Sequence, residues 1–139
     1  MAKTFKFDII TPDGIVFTGN VDSLRAPGSE GGFGVLADHA PFMTTMGIGV
    51  VQISVAENGS GSSDHLFAVS GGFVEVLQNS VTMLAETCEP AEGINLERAK
   101  AALQRARDRL QSSGPETDII RAQLAMQRAL NRIKVAESV

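Results

Sequence analysis

Side chains that could do chemistry are few in this chain of 139 residues. It has two histidines, His39 and His65, and one cysteine, Cys88. His39 follows Asp38 and could act as a general base, but no G-x-S-x-G nucleophile turn accompanies it. No second histidine or cysteine stands at metal-ligand spacing. We therefore expect no catalytic residue and no metal site, and an enzyme built on Asp38 and His39 is the weakest hypothesis.

The one cysteine, Cys88, cannot form an internal disulfide, which is typical of a reducing compartment. Lone cysteines are more often small packed side chains than nucleophiles. We expect Cys88 to be a partly buried residue at a strand end. The sequence has no apolar run of about 18 residues and no signal-peptide core, so neither a membrane span nor secretion is expected.

The segment from Pro27 to Pro41 concentrates four glycines between two strand-like stretches, so the sequence predicts a loop held by a β scaffold. Within it, residues 32–37 loosely match the dinucleotide pattern G-x-G-x-x-[GA]. That pattern requires a following helix, which Pro41 disfavours, and no P-loop occurs elsewhere. Its charged side chains are the carboxylates of Glu30 and Asp38, together with His39. The segment is therefore better suited to docking than to holding phosphate.

Charge is distributed unevenly along the chain. Residues 1–93 carry three basic and eleven acidic side chains, whereas residues 94–139 carry nine basic and five acidic ones. An acidic module joined to a basic one indicates two parts with different partners. Nucleic-acid binding is not expected, because Trp and Tyr are absent and the first module is acidic.

Arginines recur in the basic module at steps of seven and four. They are either solvated charges beside an apolar stripe or a surface for an anion or an acidic partner. Both interpretations stay open on the sequence. The six residues are Arg98, Arg105, Arg109, Arg121, Arg128 and Arg132.

Hydrophobic periodicity divides the chain at the same place as the charge. Up to Cys88, apolar residues alternate in short runs about ten residues apart, as in an antiparallel sandwich or barrel. After a linker at residues 89–93 the apolar period becomes helical, with two stripes joined at residues 112–115. Asn95 is a predicted N-cap, and Glu116 and Asp118 are predicted in the first turn of the second helix. We predict an α+β protein, with a β domain at 1–88 and an antiparallel two-helix hairpin at 94–139.

Several stretches, taken in order, resemble the epsilon subunit of bacterial F-type ATP synthase over nearly the whole chain. The stretches that carry the resemblance are Ile10-Thr11-Pro12-Asp13-Gly14, Val16-Phe17-Thr18-Gly19, Pro27 to Leu36, Asp38-His39-Ala40-Pro41, Ser70 to Val76, Arg98-Ala99-Lys100-Ala101 and Arg128 to Val135.

This resemblance implies a β-sandwich of about ten strands followed by the helical hairpin. It implies a non-catalytic central-stalk subunit that docks on the gamma subunit and the c-ring and couples proton-driven rotation to ATP synthesis. It also implies a peripheral position on the cytoplasmic side of the bacterial inner membrane, with membrane contact only through the complex. Some relatives carry an acidic residue at the position that Gly32 occupies in this chain. Because that carboxylate is missing here, Glu30 would supply the local negative charge. The implied docking residues are Glu30, Gly31, Gly32, Phe33, Asp38 and His39.

For the hairpin, the resemblance implies extension toward the catalytic alpha and beta subunits and inhibition of ATP hydrolysis. The resemblance implies no required cofactor, but it makes ATP a candidate regulatory ligand. The positions that match the ATP-binding residues of some family members are Glu89, Ile94, Arg98, Arg128 and Arg132. Asn95 departs from the pattern, because ATP-binding members carry Asp there. The alternative function is a free-standing sensor of anions or nucleotides, made of a β-sandwich with a helical appendage.

Overall fold

Alternating apolar residues in the first ninety positions form eight β-strands in the computed structural model, which describes residues 3–56, 62–112, 114–115 and 117–138. The chain divides into two compact units, Met1–Pro90 and Ala91–Val139. The strands are β1 (Phe5–Thr11), β2 (Gly14–Val21), β3 (Ser23–Gly28), β4 (Gly31–Leu36), β5 (Phe42–Thr45), β6 (Gly49–Ala56), β7 (Ser62–Leu77) and β8 (Ser80–Pro90).

The strands join in the order β2-β1-β8-β7-β6-β3-β4, and β5 pairs with β7. Among the described residues all pairs are antiparallel except β1 with β8, which run parallel. Inward-facing side chains of both halves of this sheet form one apolar core. Its largest fully buried members are Phe5, Phe7, Ile9, Leu24, Ile53 and Met83. The predicted sandwich is thus confirmed.

The eight strands are slightly fewer than the about ten that the resemblance implies, and the longest of them is β7. Paired glycines such as Gly71-Gly72 often mark an interruption of a strand, yet β7 continues through both residues and is 16 residues long. Their φ values of 69° and 116° are open to glycine but disfavoured for other residues. A Cβ on Gly72 would lie 2.0 Å from the carbonyl oxygen of Leu84. The two glycines therefore bend the strand without ending its pairing to β8.

The glycine-rich segment is not the loop that the sequence predicts. Strand β3 runs to Gly28, residues 29–30 form a tight turn, and β4 occupies Gly31–Leu36. Only the turn demands glycine: Gly31 has φ 130°, and a Cβ on Gly28 would lie 2.5 Å from the Gly31 carbonyl oxygen. The prediction was wrong because glycine density weakens strand propensity, whereas Val35, buried in the core, fixes the strand in the sheet.

The second unit begins with a short 3-10 helix, Ala91–Gly93, followed by α1 (Leu96–Gln111) and α2 (Ile119–Glu137). Asn95 caps α1 as predicted, since its Oδ1 accepts the Arg98 amide hydrogen at 3.0 Å. Asp118 caps α2 from just outside the first turn, where its Oδ1 accepts the Arg121 amide hydrogen at 2.9 Å. Glu116, also expected in that turn, lies outside the described residues.

The two helices pack through the predicted stripes, and the buried positions are mostly alanine. The buried helix residues are Ala99, Leu103, Ala106, Ala122, Ala129 and Val135. In the part of the chain that the structure describes, no helix is both long enough and apolar enough to cross a bilayer.

Candidate functional site

The predicted docking residues are distributed along β4 and at its two ends. Glu30 is exposed at the tip of the β3–β4 hairpin, and Asp38 and His39 follow the opposite end of the strand. Because a strand rises about 3.3 Å per residue, the length of β4 separates the two ends by roughly 17 Å. Glu30 and Asp38 therefore do not form a carboxylate pair.

The contacts of Asp38 and His39 do not assemble a catalytic pair. The Asp38 carboxylate lies 3.1 Å from Lys3 Nζ, and His39 Nδ1 lies 2.7 Å from the Ala40 carbonyl oxygen. The His39 ring instead meets Phe42 edge to face, with ring centroids 6.1 Å apart. Phe42 in turn contacts Phe33 at 5.3 Å. This row of rings links the loop after β4 to the strand itself, and it supports a surface for contact rather than for proton transfer.

Beside these rings, the outer face of β3, β4 and β6 carries a trough of about 660 Å³, here called the glycine trough. Gly32 and Gly34 line it where they pair with Pro27 and Arg25 of β3, and Gln52 of β6 pairs with Arg25 on the other side. Strand β4 ends the strand order, so among the described residues its second edge has no partner strand. A partner backbone can approach closely here, with Arg25 available to an anionic or carbonyl group.

A second surface was not predicted from the sequence. Ile15, Ile10, Leu84 and Phe73 are consecutive register partners across β2, β1, β8 and β7. Ile15 is 69% exposed, Leu84 37% and Phe73 40%. We call these four residues the apolar row. An apolar cavity of about 450 Å³ adjoins it, with Pro12 among its lining residues. A continuous apolar strip on the outside of a sandwich is typical of a protein interface.

A signal for this row is present in the sequence. A strand with one solvated face alternates strictly, but here the apolar residues come in unbroken pairs. Ile9-Ile10 and Met83-Leu84 each contribute one side chain to the core and the next to the outer face. Such runs indicate strands covered on both faces, and the outer cover is not supplied by the described residues of this unit.

The candidate nucleotide residues of the second unit lie between one end of the hairpin and its middle. Asn95 caps α1 and Arg98 lies in its first turn, whereas Arg128 is at the middle of α2 and Arg132 is in its last third. Since the two helices pack as a hairpin, the start of α1 lies beside the end of α2. Arg98 and Arg128 are exposed and Arg132 is half-buried, while Ile94 just before α1 is half-buried as well. The arrangement offers guanidinium groups to an anion.

Glu89, the remaining candidate, belongs to the first unit. It is half-buried as the penultimate residue of β8. Its neighbour Cys88 is a half-buried strand residue, as predicted. Burial, with a smaller contribution from the Glu89 charge, raises the pKa of the Cys88 thiol to about 12. A thiol that stays protonated at neutral pH is a poor nucleophile, so a packing role fits Cys88 better than chemistry.

Two family models match consecutive parts of the chain. Residues 4–91 match the beta-sandwich domain of the ATP synthase delta/epsilon chain, and residues 92–137 match its long alpha-helix domain. Together the two matches cover nearly all of both units described above.

Relatives named ATP synthase epsilon chain match at full length. The one from Desulforamulus reducens is 45% identical over 137 residues, covering 99% of this chain and 100% of the relative. The one from Nitratidesulfovibrio vulgaris is 46% identical over 135 residues, covering 97% of each chain. The one from Bacillus velezensis is 43% identical over 134 residues, covering 96% of this chain and 98% of the relative.

Solved structures share the fold. A chain of the Euglena gracilis mitochondrial ATP synthase, in a structure of OSCP, F1 and c-ring, aligns with TM-score 0.78 at 22% identity, covering 92% of this chain and 78% of that one. A chain from the central stalk and c-ring of the Tetrahymena thermophila mitochondrial ATP synthase aligns with TM-score 0.53 at 14% identity. The alignment covers 98% of this chain and 96% of that one.

Proposed function

Because this chain belongs to the family of ATP synthase epsilon chains, we propose that its β-sandwich docks on the gamma subunit and the c-ring of the rotor. Epsilon chains are accessory subunits of ATP synthase without an active site of their own. Membership makes the chain a peripheral part of that complex. Its proposed position is the cytoplasmic side of the bacterial inner membrane, held there by the partner subunits.

The apolar row is the observation that carries the docking proposal. Exposed Ile15, Leu84 and Phe73 align in register across neighbouring strands, so a partner could cover them with one continuous surface. Burying such side chains stabilises a complex without any charged contact. We assign this row to the gamma subunit, because a permanent partner within a rotor suits a largely apolar contact.

The glycine trough suits the second proposed partner, the polar loops of the c-ring. Gly32 and Gly34 leave the backbone of an edge strand open to approach, and Arg25 and Gln52 supply donors along one wall. Glu30 stands at the hairpin tip, at the end of β4 away from His39. Polar loops seated against this face would bond to the backbone edge and to Arg25 rather than to a carboxylate pair.

A binding assay separates this proposal from the alternative of a free-standing sensor. Full-length chain is mixed with the gamma subunit, and with ATP synthase stripped of this chain, and bound protein is quantified. The proposal predicts stable association with both. A monomer that associates with neither would favour the sensor.

For the second unit we propose regulation of ATP hydrolysis through contact with the catalytic alpha and beta subunits. The hairpin is a compact unit of its own, and its excess of basic side chains suits an acidic partner region. The assay compares hydrolysis by the assembled enzyme with full-length chain and with a chain lacking residues 94–139. Equal rates with the two chains would contradict the proposal.

We also propose ATP as a regulatory ligand of the hairpin. Arg98 and Arg132 toward one end of the helix pair, with Arg128 one turn before Arg132 in α2, support phosphate contacts. The Asn95 oxygen is engaged in capping α1, so its amide nitrogen is the group left for a ligand. A ligand that binds one state of the hairpin shifts the population toward that state.

Calorimetry on the full-length chain tests the nucleotide site. The proposal predicts heat of binding with ATP that is lost in Arg128→Ala. Arg107→Ala is the matched control, since Arg107 is an exposed arginine of α1 outside the candidate set. No heat at millimolar ATP with the native chain, or equal loss in both variants, would contradict a specific site.

A further inference from the structure

The turn between β7 and β8 makes contacts that a turn does not require. Leu77 pairs with Ser80, and the two residues between them have positive φ, 48° at Gln78 and 60° at Asn79. This is the backbone of a type I′ hairpin, which glycine serves best at the second position. Asn79 is tolerated there, but it is not the residue that the turn alone favours.

The side chain of Asn79 joins two other parts of the fold. Its Oδ1 accepts the backbone N–H of Asp38 at 2.7 Å, and its Nδ2 donates to the Thr4 carbonyl oxygen at 3.0 Å. Its own carbonyl oxygen accepts the Lys6 N–H at 3.3 Å. One residue thus ties the β7–β8 turn to the start of β1 and to the loop that follows β4.

We propose that Asn79 is the positioning residue of the docking loop formed by Asp38 and His39. The loop turns at Asp38, whose φ is 62°, and directs His39 onto the Phe42 ring. Holding the Asp38 amide fixes where this turn occurs, so the loop is set in its docking geometry before a partner arrives. The inference rests on the proposed function, because it assumes that this loop faces a rotor subunit.

The Asn79 bonds, rather than the neighbouring ion pair, are the main restraint on the loop. Lys3 and Asp38 form a contact of 3.1 Å, but their side chains are 79% and 61% exposed. Ion pairs that exposed contribute little to order, because both side chains lose entropy and water screens the charges. The Asn79 amide instead makes two directed bonds to backbone groups from a side chain with few rotamers.

The test uses glycine at each of the two turn positions in the full-length chain. Asn79→Gly keeps the left-handed backbone and removes both side-chain bonds. Gln78→Gly is the matched control, since it relaxes the same turn and leaves Asn79 in place. Hydrogen exchange of the Asp38 amide, followed by nuclear magnetic resonance, should accelerate about five- to tenfold in Asn79→Gly, as for loss of one ordinary hydrogen bond. It should stay unchanged in Gln78→Gly, which keeps both side-chain bonds of Asn79.

Binding to ATP synthase stripped of this chain is then measured for the same variants. The proposal predicts that Asn79→Gly weakens binding by about the same five- to tenfold factor, at an unchanged melting temperature, while Gln78→Gly binds normally. Unchanged Asp38 exchange in Asn79→Gly, or faster exchange with normal binding, would overturn the positioning role and leave the proposed function standing. If native chain does not bind the stripped enzyme at all, the proposed function fails, and the positioning role fails with it.

Discussion

Replacing Ile15 by threonine tests whether the apolar row is an interface. Ile15 is 69% exposed at the β2 end of the row, where it pairs with Ile10. Threonine keeps the β-branch and the strand preference of isoleucine but exchanges apolar surface for a hydroxyl group. The substitution therefore changes what a partner would cover while leaving the strand itself nearly intact.

The size of the effect follows from the exposure of the side chain. Full burial of an isoleucine side chain contributes about 1.5–3 kcal/mol. Since about two-thirds of Ile15 remains to be covered, docking of gamma should lose roughly 1–2 kcal/mol, a factor of about 5–30 in Kd. Folding buried only the remaining third, so the free energy of unfolding of the chain alone should fall by less than about 1 kcal/mol.

The assay is titration of the gamma subunit with each full-length variant, alongside urea unfolding of the chain alone. Ile120→Thr is a matched control, because Ile120 is 71% exposed and lies in the hairpin rather than in the apolar row. We expect normal gamma binding for Ile120→Thr. Equal affinity for gamma in the native chain and Ile15→Thr, or equal losses in both variants, would refute the interface.

Three further predictions follow from single positions. Gly72→Ala should destabilise the chain by more than about 3 kcal/mol in urea unfolding, because its Cβ would meet the Leu84 carbonyl oxygen at 2.0 Å and its φ is 116°; native-like stability would contradict the close approach. Gly34→Val should leave the melting temperature unchanged, since a Cβ there meets only the Leu24 oxygen at 3.7 Å, yet it should weaken binding to the stripped enzyme by filling the glycine trough. Iodoacetamide at pH 8 should label Cys88 about a thousandfold more slowly in the folded than in the unfolded chain, because the pKa is raised from 9.0 to about 12. The stabilisation from the protonated thiol is complete below pH 9 and is lost as the pH rises toward 12; equal labelling rates would contradict the raised pKa.

The periodicity of the sequence predicted the division into a β domain and a helical hairpin, whereas the choice of a sandwich over a barrel came from the resemblance. Alternation marked the strands, and a step of three and four residues marked the helices at Ala99, Leu103 and Ala106, which are all buried. Inference from periodicity succeeds for the helices because each helix buries one face, so its apolar residues recur at the helical period. The prediction of Asn95 as an N-cap succeeded because the cap bonds only to a backbone N–H of the helix that it begins, so no distant contact decides it.

Inference failed where tertiary contacts override local preference. Strand β4 was predicted as a loop because Gly31, Gly32 and Gly34 lower strand propensity, but β3 supplies a register that holds them. The apolar row escaped prediction because it is composed of residues from distant strands, such as Ile15 and Phe73, whose alignment depends on which strands pair. The hydrogen bond between Asn79 and Asp38 joins residues 41 positions apart in the sequence, and no local pattern predicts it.

The composition of the hairpin makes it the more easily altered of the two units. Four of its six buried helix residues are alanines, and each buried methyl group contributes only about 0.8 kcal/mol. Isolated helices of this length are marginal in water, so each helix depends on its packing against the other. The sandwich, in contrast, buries Phe5, Phe7 and Met83 in a core of its own. We therefore expect a ligand or partner of modest affinity to shift the state of the hairpin without disturbing the sandwich, as the proposed regulatory role requires.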